Sequence, residues 1–377
     1  MTEKKYGKKN IIKVDPLAYN LGLIGLSGIG KTTLAKQVCE QLVGQDGYMV
    51  FTIGKEDGHD AIAGIVYEEV PDWDTFEDIT NHIIENRLTI YKDLKVIVYD
   101  TIDELFEIAT PRVIELNNKE FPDKQVKSLN QAYTGFGKGE QKAIEIVLDK
   151  MWELKRLGIS MFVIGHTKKR TMNDVSTGLD YDMVTTNMQH NYFNAIKTKL
   201  HVLGVATIDR EITQVKTGKK FLKGKDKGKE ITKGSVTNES RIITFRDDNF
   251  NIDSKSRFAE IVDEIEFNPS NFIEAVKEAI KLEHEKQSGV KSIEETRVNQ
   301  DTEKENKIEE SVKLKQVDLD ARELDGIIEQ LTEFVKTNKL TPQNTKPLIT
   351  KSKEFGLFNP LKVTDLKQAK ALLALIQ

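Results

Sequence analysis

Short apolar runs alternate with longer amphipathic stretches along most of the chain. Residues 21–24, 48–53, 95–100, 159–164 and 201–208 are compact runs rich in Val, Ile, Leu and aromatic residues, the pattern of strands buried on both faces. Between them the apolar positions recur at helical spacing. Phe76, Ile79, Ile83, Ile84 and Leu88 form one stripe, and Ile144, Val147, Leu148, Met151 and Leu154 form another that stops at Gly158. Residues 105–116 and 190–200 read as further helices. Strands alternating with helices predict an α/β fold on a mainly parallel sheet.

The pattern changes after residue 208. Residues 211–215 and 241–245 are strand-like and flank a lysine-rich, glycine-interrupted stretch, so a long β-hairpin with a basic tip is expected. Phe272, Ile273, Val276 and Ile280 line one more helix. Residues 283–320 are then dominated by Glu, Lys, Gln, Asn and Ser, a composition that predicts a charged, disordered linker. Beyond it, Leu324, Ile327, Ile328, Leu331, Phe334 and Val335 form an amphipathic helix. Leu348 and Ile349 belong to a second that stops at Gly356, and Thr364-Asp365 caps a third carrying Leu366, Leu372, Leu373 and Ile376. The expected division is a main domain over 1–282, the linker over 283–320 and a small helical interaction module over 321–377.

The strongest chemical signal is Gly25-Leu26-Ser27-Gly28-Ile29-Gly30-Lys31-Thr32, a full match to the phosphate-binding loop G-x-x-x-x-G-K-[ST]. It follows a predicted strand and opens a predicted helix, as the motif requires. Gly25, Gly28 and Gly30 let successive backbone N–H groups converge on phosphate, with Ser27 and Thr33 alongside. Lys31 is expected to reach the β- and γ-phosphates of ATP, and Thr32 to offer its hydroxyl to Mg²⁺. Other polar residues fall at strand ends, where open α/β sheets bind ligands. Glu56 follows the second strand and is placed to face the γ-phosphate. Asp100 ends the third strand as a candidate Mg²⁺ ligand opposite Thr32. Asp103 and Glu104 either orient water or complement the start of a helix, the latter being the simpler reading for Asp103. His166 ends the fourth strand and reads as a γ-phosphate sensor or as a structural histidine.

Composition narrows the remaining choices. The net charge of −4 announces no global basic field, so any nucleic-acid site has to be local. The densest basic stretch is the hairpin, with Lys216, Lys219, Lys220, Lys223, Lys225, Lys227, Lys229 and Lys233. These could neutralise several phosphates of single-stranded DNA, or simply protect a solvated hairpin from edge pairing. Residues 117–138, with Phe121, Tyr133 and a Gly-Phe-Gly cluster, read as a mobile loop suited to stacking on a single strand or merely joining two helices. Residues 171–189 read as a loop whose Asp174, Asp180 and Asp182 speak against phosphate binding there. Arg257 is structural or reaches a neighbouring subunit. Cys39 is the only cysteine, which excludes internal disulfides and a cysteine-built zinc site. No run approaches a membrane span, so a soluble, cytoplasmic protein without a membrane partner is expected.

The order of phosphate loop, strand-end Glu, strand-end Asp-Thr, strand-end His and basic hairpin resembles the RecA-like P-loop ATPases. Residues 96–105 (VIVYDTIDEL), 162–169 (FVIGHTKK) and 255–261 (KSRFAEI) are similar to phage-encoded RecA-like proteins of the AAA_24 type, including the RecA-related branch of phage single-strand annealing proteins. The resemblance spans residues 11–282. It implies a RecA-like core in which Glu56 activates the attacking water, Asp100 holds magnesium and His166 stands where an amide sensor is more usual. It further implies an ATP-hydrolysing, single-stranded-DNA-binding recombination or annealing protein acting as a homo-oligomer in a bacterial host. Its tail would contact a single-strand-binding protein. The alternative expectation is an ATP-gated protein that loads a helicase or bridges replication partners; a small-metabolite kinase fits less well, since no arginine-rich lid is evident.

Overall fold

The structure is a computed structural model, and it describes residues 7, 10–56, 58–173, 177–220, 230–246, 253–287, 292–337 and 342–376. The chain divides into two compact units, Met1–Glu305 and Asn306–Gln377.

The first unit is built on one sheet. Its strands are β1 (Leu21–Gly25), β2 (Tyr48–Ile53), β3 (Tyr67–Val70), β4 (Val96–Asp100), β5 (Ser160–Asn173), β6 (Asp180–Thr186), β7 (Val202–Lys220), β8 (Glu230–Thr244), β9 (Lys255–Ser256) and β10 (Glu264–Glu266). The order across the sheet is β10-β8-β7-β1-β5-β4-β2-β3, with β6 added to β5 and β9 to β7. The run β7-β1-β5-β4-β2-β3 is parallel throughout, and β6, β8, β9 and β10 pair antiparallel. Every residue of β1 and β4 is buried, as expected for central parallel strands covered on both faces.

The helices of this unit are α1 (Lys31–Val43), α2 (Trp73–Glu85), α3 (Ile102–Glu120), α4 (Lys138–Arg156), α5 (His190–Lys197) and α6 (Pro269–Glu285). Asp72 caps α2 by accepting from Thr75 N at 2.8 Å, and Asn268 caps α6, whose first residue is Pro269. Leu34, Ala35 and Val38 of α1 and Phe272, Val276 and Ile280 of α6 share one core with Leu23, Phe162, Val202 and Phe245 of the sheet. Cys39 is fully buried there. Trp73 packs against Phe76, its ring centroid 5.2 Å away.

Three expectations need correction. Residues 171–189 are not simply a loop, because β5 runs on beyond the sheet to Asn173 and β6 returns beside it. Two of the expected acids serve that hairpin: Thr171 Oγ1 donates to Asp182 Oδ1 and Asn173 Nδ2 to Asp180 Oδ1, both at 2.8 Å, while Asp174 lies outside the described residues. Residues 117–138 are largely placed by Asn117 and Asn118: Asn117 Oδ1 accepts from Tyr133 N at 2.7 Å and Asn118 Oδ1 from Val126 N at 2.7 Å. The segment expected as a disordered linker is helical from residue 293 onward, within α7 (Ile293–Thr337). Glu, Lys and Gln are strong helix formers, and the start of α7 is held by specific contacts. Gln300 Nε2 donates to Ile12 O at 2.9 Å, its Oε1 accepts from Val14 N at 3.0 Å, and buried Thr296 bonds His284.

The second unit has its own small core. Ile327 and Leu331 of α7 pack with Leu348 of α8 (Pro342–Glu354) and with Ala369 and Leu372 of α9 (Leu366–Leu373). Asp365 caps α9 by accepting from Gln368 N at 2.9 Å, and Gly356, at φ +72°, follows α8.

Candidate nucleotide site

Strand register brings the polar candidates to one edge of the sheet. Gly25 pairs with His166, Asp100 with Ile164 and Thr52 with Asp100, so the carboxyl ends of β1, β4 and β2 lie beside the point in β5 where its parallel pairing ends, at His166. The loop after β1 then turns into α1. Gly28 and Gly30 have φ of +77° and +104°, which only glycine adopts without strain, and around Gly28 there is open space. Gly30 occupies the N-cap position with no side chain capping the helix, which leaves the first N–H groups of α1 available to an anion. Ser27, Gly28 and Thr33 are exposed along the same rim.

Lys31 is buried, with Nζ 3.1 Å from the carbonyl oxygens of both Gly25 and Leu26. Burial lowers its pKa, opposed by the nearby carboxylates of Asp100, Asp103 and Glu56. Thr32 Oγ1 donates to Asp100 Oδ2 at 2.5 Å. Asp100 is itself buried, and desolvation pushes its carboxyl up to about 6 even though the Thr32 bond pulls the other way. A hydroxyl and a charge-starved carboxylate side by side suit Mg²⁺, which takes one or two protein oxygens and completes its shell with phosphate and water. Among the described residues no cluster of three or more His, Cys, Asp or Glu could hold a metal unaided.

Glu56, Asp103 and His166 form a second cluster beside the first. His166 Nδ1 donates to Asp103 Oδ2 at 3.0 Å, and its Nε2 is 4.0 Å from Glu56 Oε1. The Asp103 bond raises the His166 pKa against the effect of burial. Burial works to raise Asp103, but the hydrogen bond and charge of His166 prevail and lower it. Asp103 is therefore part of the cluster and not just an acid at a helix start. Its spacing was the available signal: three residues past Asp100, in the first turn of α3, it returns to the strand edge. The main chain of His166 is held as well, since Asn187 N donates to its carbonyl at 2.9 Å just after β6.

Other candidates lie elsewhere. Lys216, Lys219 and Lys220 fall on β7 and Lys233 on β8, whereas Lys223, Lys225, Lys227 and Lys229 lie outside the described residues. Arg257 acts locally. Its Nη2 donates to Thr198 O at 2.6 Å while Lys255 Nζ donates to Lys197 O at 2.6 Å, which satisfies carbonyls at the end of α5. Sequence reasoning missed Arg241 on β8. Its Nη1 donates to Ile29 O at 3.1 Å, inside the phosphate loop, through a pairing that no local pattern announces.

Among the described residues no helix is long and apolar enough to cross a membrane. No curated protein matches the chain. The model of an AAA domain family, AAA_24, matches residues 18–258, a span that holds β1 through β9 and every residue of the two clusters, and the chain belongs to this family of P-loop ATPase-type domains.

Proposed function

We propose that the first unit binds ATP with Mg²⁺ and hydrolyses it, and that the protein uses this cycle as a homo-oligomer on single-stranded DNA, in recombination or annealing of the kind phages encode. The observation that carries the ATPase reading is the adjacency of the Thr32–Asp100 pair to the Glu56–His166–Asp103 cluster beyond an uncapped helix start. Thr32 and Asp100 would hold the metal, which would offset charge on the phosphates. Lys31 and the N–H groups of the loop bind the polyphosphate, and Glu56 takes the proton from the water that attacks in line. His166, fixed by Asp103, contacts the γ-phosphate side of the site. It opens the β5–β6 hairpin, whose return closes on its carbonyl, so loss of phosphate reaches that hairpin.

The DNA assignment rests on the lysines of the β7–β8 hairpin. It is tested by ATPase rate with and without single-stranded DNA, at low and moderate salt, in the unmodified protein and with Lys219, Lys220, Lys223 and Lys225 changed to Ala. DNA stimulation that the variant loses supports the reading. Hydrolysis untouched by DNA at either salt favours the alternative, an ATP-gated loader of replication partners, for which the separate core of the second unit speaks. A single-strand-binding protein is the candidate partner of the tail. Lys31→Ala should abolish hydrolysis in either case; a wild-type rate refutes the site.

A further inference from the structure

The phosphate loop has a second wall. In sheet order β5, β4 and β2 lie on one side of β1, and β7, β8 and β10 on the other. Asp100, Asp103, Glu56 and His166 all belong to the first side, so the end of the polyphosphate where hydrolysis occurs points there. The nucleoside end has to leave toward β7 and β8.

On that side stand two planar side chains. The Arg241 guanidinium is exposed and holds Ile29 O with Nη1. Phe267 follows β10, is partly buried, and donates its backbone N–H to Arg241 O at 2.8 Å. Both converge on Gly30: a Cβ built there would sit 3.5 Å from Phe267 Cε1 and 3.8 Å from Arg241 Nη1. Gly30 thus brings the start of α1 within van der Waals reach of both groups.

We propose that Arg241 and Phe267 form the seat of the nucleotide's purine base. The inference rests on reading the loop as an ATP site and adds which residues recognise the part of the ligand that is not phosphate. An aromatic ring and a guanidinium plane both stack on a purine, and with one Arg241 nitrogen engaged by Ile29 the other donors of its fork stay available to ribose or phosphate oxygens. β8 thereby contributes to nucleotide affinity although the phosphate motif lies wholly on β1 and α1. The competing explanation is that Phe267 only fills space against the core and Arg241 only braces the loop.

Calorimetric binding of ADP and of inorganic pyrophosphate to the full-length protein, with Mg²⁺, separates the two. Base stacking of this kind is worth about tenfold or more in affinity. Phe267→Leu, which keeps apolar bulk and loses the flat ring, should weaken ADP about tenfold and pyrophosphate less than twofold, and Phe267→Trp should restore ADP. Arg241→Ala, a change at an exposed position, should likewise cost more for ADP than for pyrophosphate. An ADP-to-pyrophosphate ratio unchanged in both Phe267→Leu and Arg241→Ala overturns the seat while leaving the ATP site standing. Failure of the unmodified protein to bind either ligand overturns the ATP reading and this inference with it.

Discussion

Asp103→Asn tests the geometry of the site without touching the phosphate loop. The pair it breaks is short, 3.0 Å from His166 Nδ1 to Asp103 Oδ2, and the two side chains are 23% and 19% exposed. It therefore lies between surface pairs, worth up to about 1 kcal/mol, and buried ones, where loss of a partner costs about 3–5 kcal/mol. A cost of about 1–2 kcal/mol is expected. The pH dependence carries more information. His166 is raised in the folded protein, so its share of the stability is complete below its unfolded pKa of about 6.5 and is lost as pH rises through the higher folded value. Asp103 is lowered, so its share is present above about 4 and is lost as pH falls through the lower folded value. The penalty of Asp103→Asn should thus be greatest between pH 4.5 and 6.5, roughly, and shrink on the alkaline side. Urea denaturation of both proteins across that range measures it, and NMR titration of the six histidines, with His166→Gln to assign the signal, reads the pKa directly. A His166 titration unmoved by Asp103→Asn, or a stability difference that does not narrow at alkaline pH, refutes the pairing.

Three further outcomes follow from particular contacts. Glu56→Gln should lower the ATP turnover number about 10²–10⁴-fold, the usual worth of a general base, while ATP binding by calorimetry persists. Gly25→Ala should destabilise by about 1–3 kcal/mol in denaturant titrations, because its Cβ would fall 2.9 Å from both Cβ and O of Ala206 on the adjacent strand. Leu331→Ala should cost about 2–5 kcal/mol, since Leu331 is fully buried in the core of the second unit. Hydrogen exchange should locate that loss in residues 306–376 and leave β1, β4 and β5 protected.

What could be read from the sequence depended on how locally each feature is determined. The phosphate loop, the parallel strands and the strand-end position of Asp100 are local patterns, and register places them together; His166 does not end its strand but sits within β5, where pairing passes from β1 to β6. Asp103 was within reach but ambiguous, because an acid in the first turn of a helix has an ordinary explanation until a histidine from another strand is seen bonded to it. Arg241 and Phe267 carry no local signal; they reach Gly30 only because β8 and β10 join the same sheet. Residues 293–320 misled for a different reason. Their composition cannot build a core by itself, but Thr296 and Gln300 need only one turn of helix each to reach His284 and the segment around Ile12.

The sheet order also explains why two long hairpins belong to a P-loop domain of this kind. β5 lies directly between the phosphate-loop strand and the strand of Asp100, and it carries His166 level with Gly25. Just past His166 the same strand leaves the sheet and pairs with β6 from Thr167 onward. On the other side of β1, β7 pairs with β8 from Val205 onward, with register shifts between Glu211 and Ile212 and between Lys216 and Lys220, and β8 carries Arg241 to Ile29. Each hairpin is thus an extension of a strand that touches the nucleotide loop, one at the phosphate end and one opposite. Each hairpin is joined to the site through the ladder of the strand it extends, interrupted on β7–β8 by two register shifts. Coupling between a ligand on either hairpin and the site would run through these strands and would not require movement of the domain as a whole.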